Sequence, residues 1–139
     1  MSARPTRYVF DAFGLLAHLQ SETGGARVKI LLEEAVKNRV ELWMTIINYG
    51  EAIYIVEREQ GLTAVQEMIA ATDRLPITMV AADRLLSFAA AHIKAHFPIS
   101  YADAFAVALA RQHSAILVTG DPEFKSTEAL VQIEWLPQH

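Results

Sequence analysis

Four carboxylates in this chain stand where a solvated charge does not belong. Asp11 lies between the β-prone "YVF" and the apolar "AFGLL"; Glu51 has Ile47 and Ile55 one helical turn to either side; Asp103 has Ile99 and Val107 in the same relation; Asp121 closes "AILVTG". Most of the sixteen acidic residues have polar neighbours, as Glu33, Glu34, Glu57 and Glu59 do, and read as solvated helix faces. An ionised carboxylate facing an apolar interior is costly unless it is paired, hydrogen-bonded or bound to a cation. Four such groups brought together repel one another and take up protons near neutral pH unless a divalent metal neutralises them. Oxygen ligands in a chain without cysteine favour Mg2+ or Mn2+ over Zn2+. Three of the acids also have plainer readings. Asp121 followed by Pro122 and Glu123 is a good helix start with Asp as N-cap, Ser100 and Asp103 have capping-box spacing, and Asp11 can cap the helix that follows it. Glu51 has no such role, because it lies inside a helix with no cation four residues away on either side.

The elements that must position these groups follow from periodicity. "RYVF" predicts a strand ending at Asp11, and "AFGLLAHL" a first helix. From Gly25 to Val36, Val28, Leu31, Leu32 and Ala35 form one helical stripe, and "VELWMT" predicts the second strand. "IINYGEAIYIVEREQ" is apolar at helical spacing up to Gly61, a residue suited to the position after a helix end. Thr63 and Gln66 have capping-box spacing for the next helix, which Pro76 closes into the strand "ITMV". Asp83 reads as the N-cap of a helix through "RLLSFAAAHIKAHF", Ser100 opens another through "YADAFAVALARQ", and "AILVT" and "VQIEWL" complete the strands. Strands separated by helices long enough for crossovers imply an α/β sandwich around a mainly parallel sheet. Sites in such sheets form beyond the carboxyl ends of the strands, where Asp11 and Asp121 both fall. Asp103, in the first turn of a helix leading back to the last-but-one strand, overhangs the same edge if that helix is tilted across the sheet.

A length of 139 residues with 53% hydrophobic residues suits one domain spanning 1–139, with no linker, repeat or low-complexity tract. The absence of a long apolar run or signal-peptide pattern predicts a soluble, unexported protein, and the absence of cysteine fits the cytoplasm. Net charge is −4, a mild objection to a polyanionic substrate. Setting the four unusual acids aside leaves twelve acidic against twelve basic residues, and bound metal turns the acidic crevice into a phosphate site. Arg27, Lys29, Lys37, Arg39, Arg111 and Lys125 are the candidate phosphate contacts, with Lys125, Arg27 and Lys29 foremost. His92 and His96 share a helix face but lack a third ligand and read as a solvated pair; Tyr49, Tyr54 and Tyr101 read as helix packing. No Walker-type glycine loop occurs, and a phosphotransferase of the haloacid-dehalogenase type would need an Asp where Phe13 stands.

In order and separation, "YVFDAFGLLAHL", "NYGEAIYIV", "ISYADAFAVALA" and "ILVTGDPEF" resemble the PIN-domain ribonucleases, particularly the small VapC-like toxins of bacterial toxin–antitoxin pairs. The likeness covers nearly the whole chain. It implies a three-layer α/β/α PIN-like domain and a Mg2+- or Mn2+-dependent endoribonuclease in which Asp11, Glu51, Asp103 and Asp121 form the metal site. Thr119 matches a hydroxyl two residues before the last Asp. Positions just after the first Asp often carry Ser, Thr or Asn in the family, whereas this chain has Ala12 and Phe13, so support for Asp11 is expected from Asn48 or Thr119. The resemblance also implies RNA as substrate, a homodimer, and a small VapB-like antitoxin whose C-terminal segment occludes the crevice. The rival from another class is a catalytically silent PIN-like module acting through dimerisation or protein binding.

Overall fold

A computed structural model of the chain describes residues 4–137. Five strands alternate with six helices: β1 (Thr6–Phe10), α1 (Ala12–Leu19), α2 (Gly25–Val36), β2 (Val40–Thr45), α3 (Ile46–Gln60), α4 (Leu62–Thr72), β3 (Ile77–Val80), α5 (Arg84–His96), α6 (Tyr101–Gln112), β4 (Ile116–Thr119) and β5 (Ile133–Trp135). A 3-10 helix over Pro122–Thr127 separates the last two strands. The sheet runs in the order β3-β2-β1-β4-β5 and every pairing is parallel. The expectation of a mainly parallel sheet between helical layers is therefore met.

Alternation along the strands divides the core. Val9 and Leu117 face α5 and α6, packing with Leu86, Ile93, Phe105, Leu109 and Phe124. Tyr8, Phe10, Leu42 and Val118 point the other way, onto the Val28, Leu31, Leu32 and Ala35 stripe of α2. Met44 extends that side into a cluster shared by α1, α3 and α4. Both faces are covered, as a parallel sheet requires.

The chain builds β1, β2 and β3 outward in one direction, then returns to add β4 and β5 on the other side of β1. The strand order thus reverses between β1 and β4, and in open α/β sheets the place beyond the carboxyl ends at such a reversal is where a crevice forms. Phe10 is level with Val118, so Asp11 and Thr119 leave the sheet side by side.

One element start differs from the sequence expectation. Helix α4 begins at Leu62, not at a Thr63 cap, and it has no side-chain N-cap bond. Gly61, at φ +91°, both ends α3, through its N–H to the Glu57 carbonyl, and opens α4. Because one glycine serves as the whole linker, Thr63 falls inside the first turn, where its hydroxyl cannot act as the cap.

Candidate metal centre

Asp11 shows how a cap becomes part of a charged cluster. It is the N-cap of α1, with Oδ1 accepting the Gly14 N–H at 2.9 Å. Its Oδ2 accepts the Thr119 hydroxyl at 2.5 Å. Only 2% of the residue is exposed, and burial pushes its carboxyl up from 3.8 to about 7 against the pull of the two hydrogen bonds; Asp121 and Glu51 push it further the same way.

Thr119 faces two ways. While donating to Asp11, its oxygen accepts the Asp121 N–H at 3.0 Å. One hydroxyl therefore couples the acid after β1 to the acid after β4. Asp121 in turn caps the 3-10 helix, its Oδ1 accepting the Glu123 N–H at 3.0 Å, with Pro122 at the first helical position.

Asp103 arrives from α6. Ser100 is that helix's N-cap and accepts the Asp103 N–H at 3.1 Å, which fixes the first turn and leaves the Asp103 carboxyl buried, with 5% of the residue exposed. Its carboxyl is raised to about 8, first by burial, then by Asp11, Glu51 and Asp121, with Ser100 opposing. Glu51 reaches in from α3 and is also raised, by burial and then by Asp121 and Glu123. Asp11, Glu51 and Asp121 thus all raise Asp103, and Asp121 also raises Asp11 and Glu51, so the four sequence-nominated acids act on one another electrostatically.

Buried Asn48, in the first turn of α3, accepts the Thr45 hydroxyl at 2.5 Å and donates its amide N–H to the Ala102 carbonyl at 2.9 Å. Asn48 thereby ties the helix of Glu51 to the helix of Asp103. The hydroxyl bonded to Asp11 is that of Thr119.

Sequence reasoning missed Glu123. Carboxylate oxygens of Asp103, Asp121 and Glu123 lie within 4.8 Å of one another, a spacing that admits one hard divalent cation. The only available signal was position: Glu123 is two residues after Asp121, and as an exposed acid in a first helical turn it looked like ordinary helix-start chemistry. The donor set is all oxygen, partly buried and mutually repulsive, and it fits Mg2+ or Mn2+.

The candidate phosphate contacts separate. Lys125 is exposed on the 3-10 helix two residues beyond Glu123. Arg27 is held by Glu134, with Nε at 2.7 Å and Nη2 at 3.0 Å from the two carboxylate oxygens, while Lys29 is exposed on α2. Lys37, Arg39 and Arg111 precede the starts of β2 and β4, at the end of the sheet away from the acids, and Arg39 pairs with Glu34. His92 and His96 meet edge to face on the exposed side of α5, and neither belongs to the acidic group. Tyr49 is buried, Tyr54 lies beneath Arg58, and Tyr101 is exposed with its ring edge against Phe105.

Comparison with known proteins bears on the family and the fold. Residues 8–130 match the family model of the PIN domain. No curated protein sequence matches the chain. Among solved structures, VapBC2 from Rickettsia felis bound to a promoter DNA fragment superposes with a TM-score of 0.76 at 15% identity, covering 95% of this chain and 100% of that one. DNA-bound VapBC from Salmonella typhimurium gives 0.72 at 14% identity, covering 93% and 97%. VapC20 from Mycobacterium tuberculosis, described as a toxin that cleaves the sarcin-ricin loop, gives 0.68 at 14% identity, covering 86% and 94%. Likeness at such identities speaks for the fold; the match over residues 8–130 speaks for descent, and the chain belongs to the PIN domain family.

Proposed function

We propose that the protein is a Mg2+- or Mn2+-dependent endoribonuclease and the toxin of a type II toxin–antitoxin pair. The observation that carries this reading is the convergence of Asp11, Glu51, Asp103, Asp121 and Glu123 at the β1/β4 crevice of a PIN fold. Asp103, Asp121 and Glu123 are the principal metal ligands, with Asp11 supporting them from behind through Thr119. Glu51 serves as a further ligand or as the base that orients the attacking water. Bound metal supplies charge neutralisation for the scissile phosphate and lowers the pKa of water at the site. The chain's own contribution is to hold the carboxylates in place, to keep Asp11 and Asp103 out of bulk water, and to offer Lys125 to a flanking phosphate.

Two of these structural neighbours are VapBC bound to DNA, and the third is VapC20, named as a toxin that cleaves the sarcin-ricin loop. This supports RNA as the substrate and a VapB-like antitoxin as partner; the homodimer is proposed from the family resemblance alone. Among the described residues no helix is long and apolar enough to cross a membrane, and we place the protein in the cytoplasm as one domain over residues 1–139. The test is incubation of purified protein with RNA and Mg2+ or Mn2+, beside Asp103→Asn. Cleavage by the wild type, stopped by chelator and absent from the variant, is expected. Equal lack of cleavage by both, with no metal-dependent rise in melting temperature, would sink the proposal.

A further inference from the structure

Phe13 stands where a polar side chain would support Asp11, and its ring has another partner. A Cβ built on Gly120 would lie 2.5 Å from Phe13 Cζ and closer still to Cε1. The ring therefore occupies the space that any side chain at residue 120 would need. Leu136 is close to the same place: its carbonyl oxygen would be 3.1 Å from that Cβ, and its N–H donates to the Thr119 carbonyl at 2.8 Å. Phe13 itself is partly buried and packs against the cluster under α2. Gly120 is the single residue between Thr119, which holds Asp11, and Asp121, whose N–H returns to the Thr119 hydroxyl.

We propose that Phe13 is a positioning residue for the metal centre: its ring, seated on Gly120, fixes the Thr119–Asp121 turn and with it the aim of the Asp121 carboxylate toward Asp103 and Glu123. Apolar packing here does the work of a polar neighbour. A hydrogen-bonding group beside Asp11 would restrain that acid alone, whereas a ring wedged against the turn restrains the link between Asp11 and Asp121. The fit depends on both residues, since the ring occupies the space that a side chain at residue 120 would fill.

The inference rests on the metal-centre reading, and the experiment separates the two. Mn2+ affinity is measured by electron paramagnetic resonance for wild type, Phe13→Ala, Gly120→Ala and the double variant, with melting temperature recorded for each. Each single change is expected to weaken Mn2+ binding about tenfold, the scale of a lost supporting contact to a metal ligand. In the double variant the methyl at residue 120 enters the space left by the ring, so its loss should be well below the product of the two singles. Phe13→Tyr, which keeps the ring, should bind Mn2+ as wild type does. Should Phe13→Ala be insoluble, Phe13→Leu replaces it in the same cycle. Lower melting temperatures with unchanged Mn2+ affinity, or losses that simply multiply, would overturn the positioning role while leaving the metal centre intact. Failure of the wild type to bind Mn2+ would instead overturn the metal centre itself.

Discussion

Thr119 is the residue on which two carboxylates depend at once. Replacing it by Val keeps the shape but leaves Asp11 Oδ2 and the Asp121 N–H without their partner, and unsatisfied buried groups cost about 1–3 kcal/mol. Denaturant unfolding of Thr119→Val should show that loss, and Thr119→Ser should recover most of it. Asp103 makes a prediction in pH. Its folded carboxyl titrates near about 8, against an ordinary value of 3.8, so the folded state holds this proton more tightly than the unfolded chain does. Asp103 therefore favours folding below about pH 4, and that contribution is lost as pH rises toward 8 in metal-free protein. Asp103→Asn carries no charge to bury, so its melting temperature should exceed that of the metal-free wild type by roughly 3–8 °C at pH 8, with the gap closing near pH 4. A gap independent of pH would contradict the assignment. Asp121→Asn tests the cap against the cluster: Asn also caps well, so folding should survive while Mn2+ affinity falls. The four acids were legible in sequence because apolar neighbours made each of them anomalous. Glu123 was not, because it is exposed and suits a helix start, and Arg27 advertised a charge but not its partner Glu134, 107 residues away.

The elements were legible where periodicity or a cap marked them. Strand β1 stops at Asp11, the α2 stripe is buried as its spacing requires, and Asp83 caps α5 through the Leu86 N–H. The start of α4 was not, because a capping box at Thr63 and a glycine hinge at Gly61 compete over the same few residues and sequence does not rank them. Gly61 at φ +91° and ψ 174° lies in a region essentially reserved for glycine. Gly61→Ala should destabilise the fold by about 1–3 kcal/mol in thermal or denaturant unfolding, and it should leave Mn2+ affinity unchanged because the hinge lies about 15 Å along α3 beyond Glu51. The tie between α3 and α6 was equally hidden: Asn48 donates to the Ala102 carbonyl 54 residues away, and nothing local to either helix announces that contact.

At the scale of the whole molecule, topology turns separate helix caps into one site. Reversal of strand order between β1 and β4 sets Asp11 beside Thr119, and α3 and α6 bring Glu51 and Asp103 to the same opening. This clustering leaves the metal-free protein with a patch of repulsion that a divalent cation relieves, so binding and stability are linked. Mn2+ at about a hundred times its dissociation constant should add about 2.7 kcal/mol to the unfolding free energy. Its apparent affinity should rise from pH 6 to 8, as protons leave Asp11 and Asp103. A Mn2+ titration at pH 7.5 of wild type, Asp103→Asn and Glu123→Gln tests whether these acids form one divalent-metal centre. Saturable binding by the wild type and at least about tenfold weaker binding by both variants are expected; no saturable binding by the wild type, or equal affinity in all three, would overturn the shared centre.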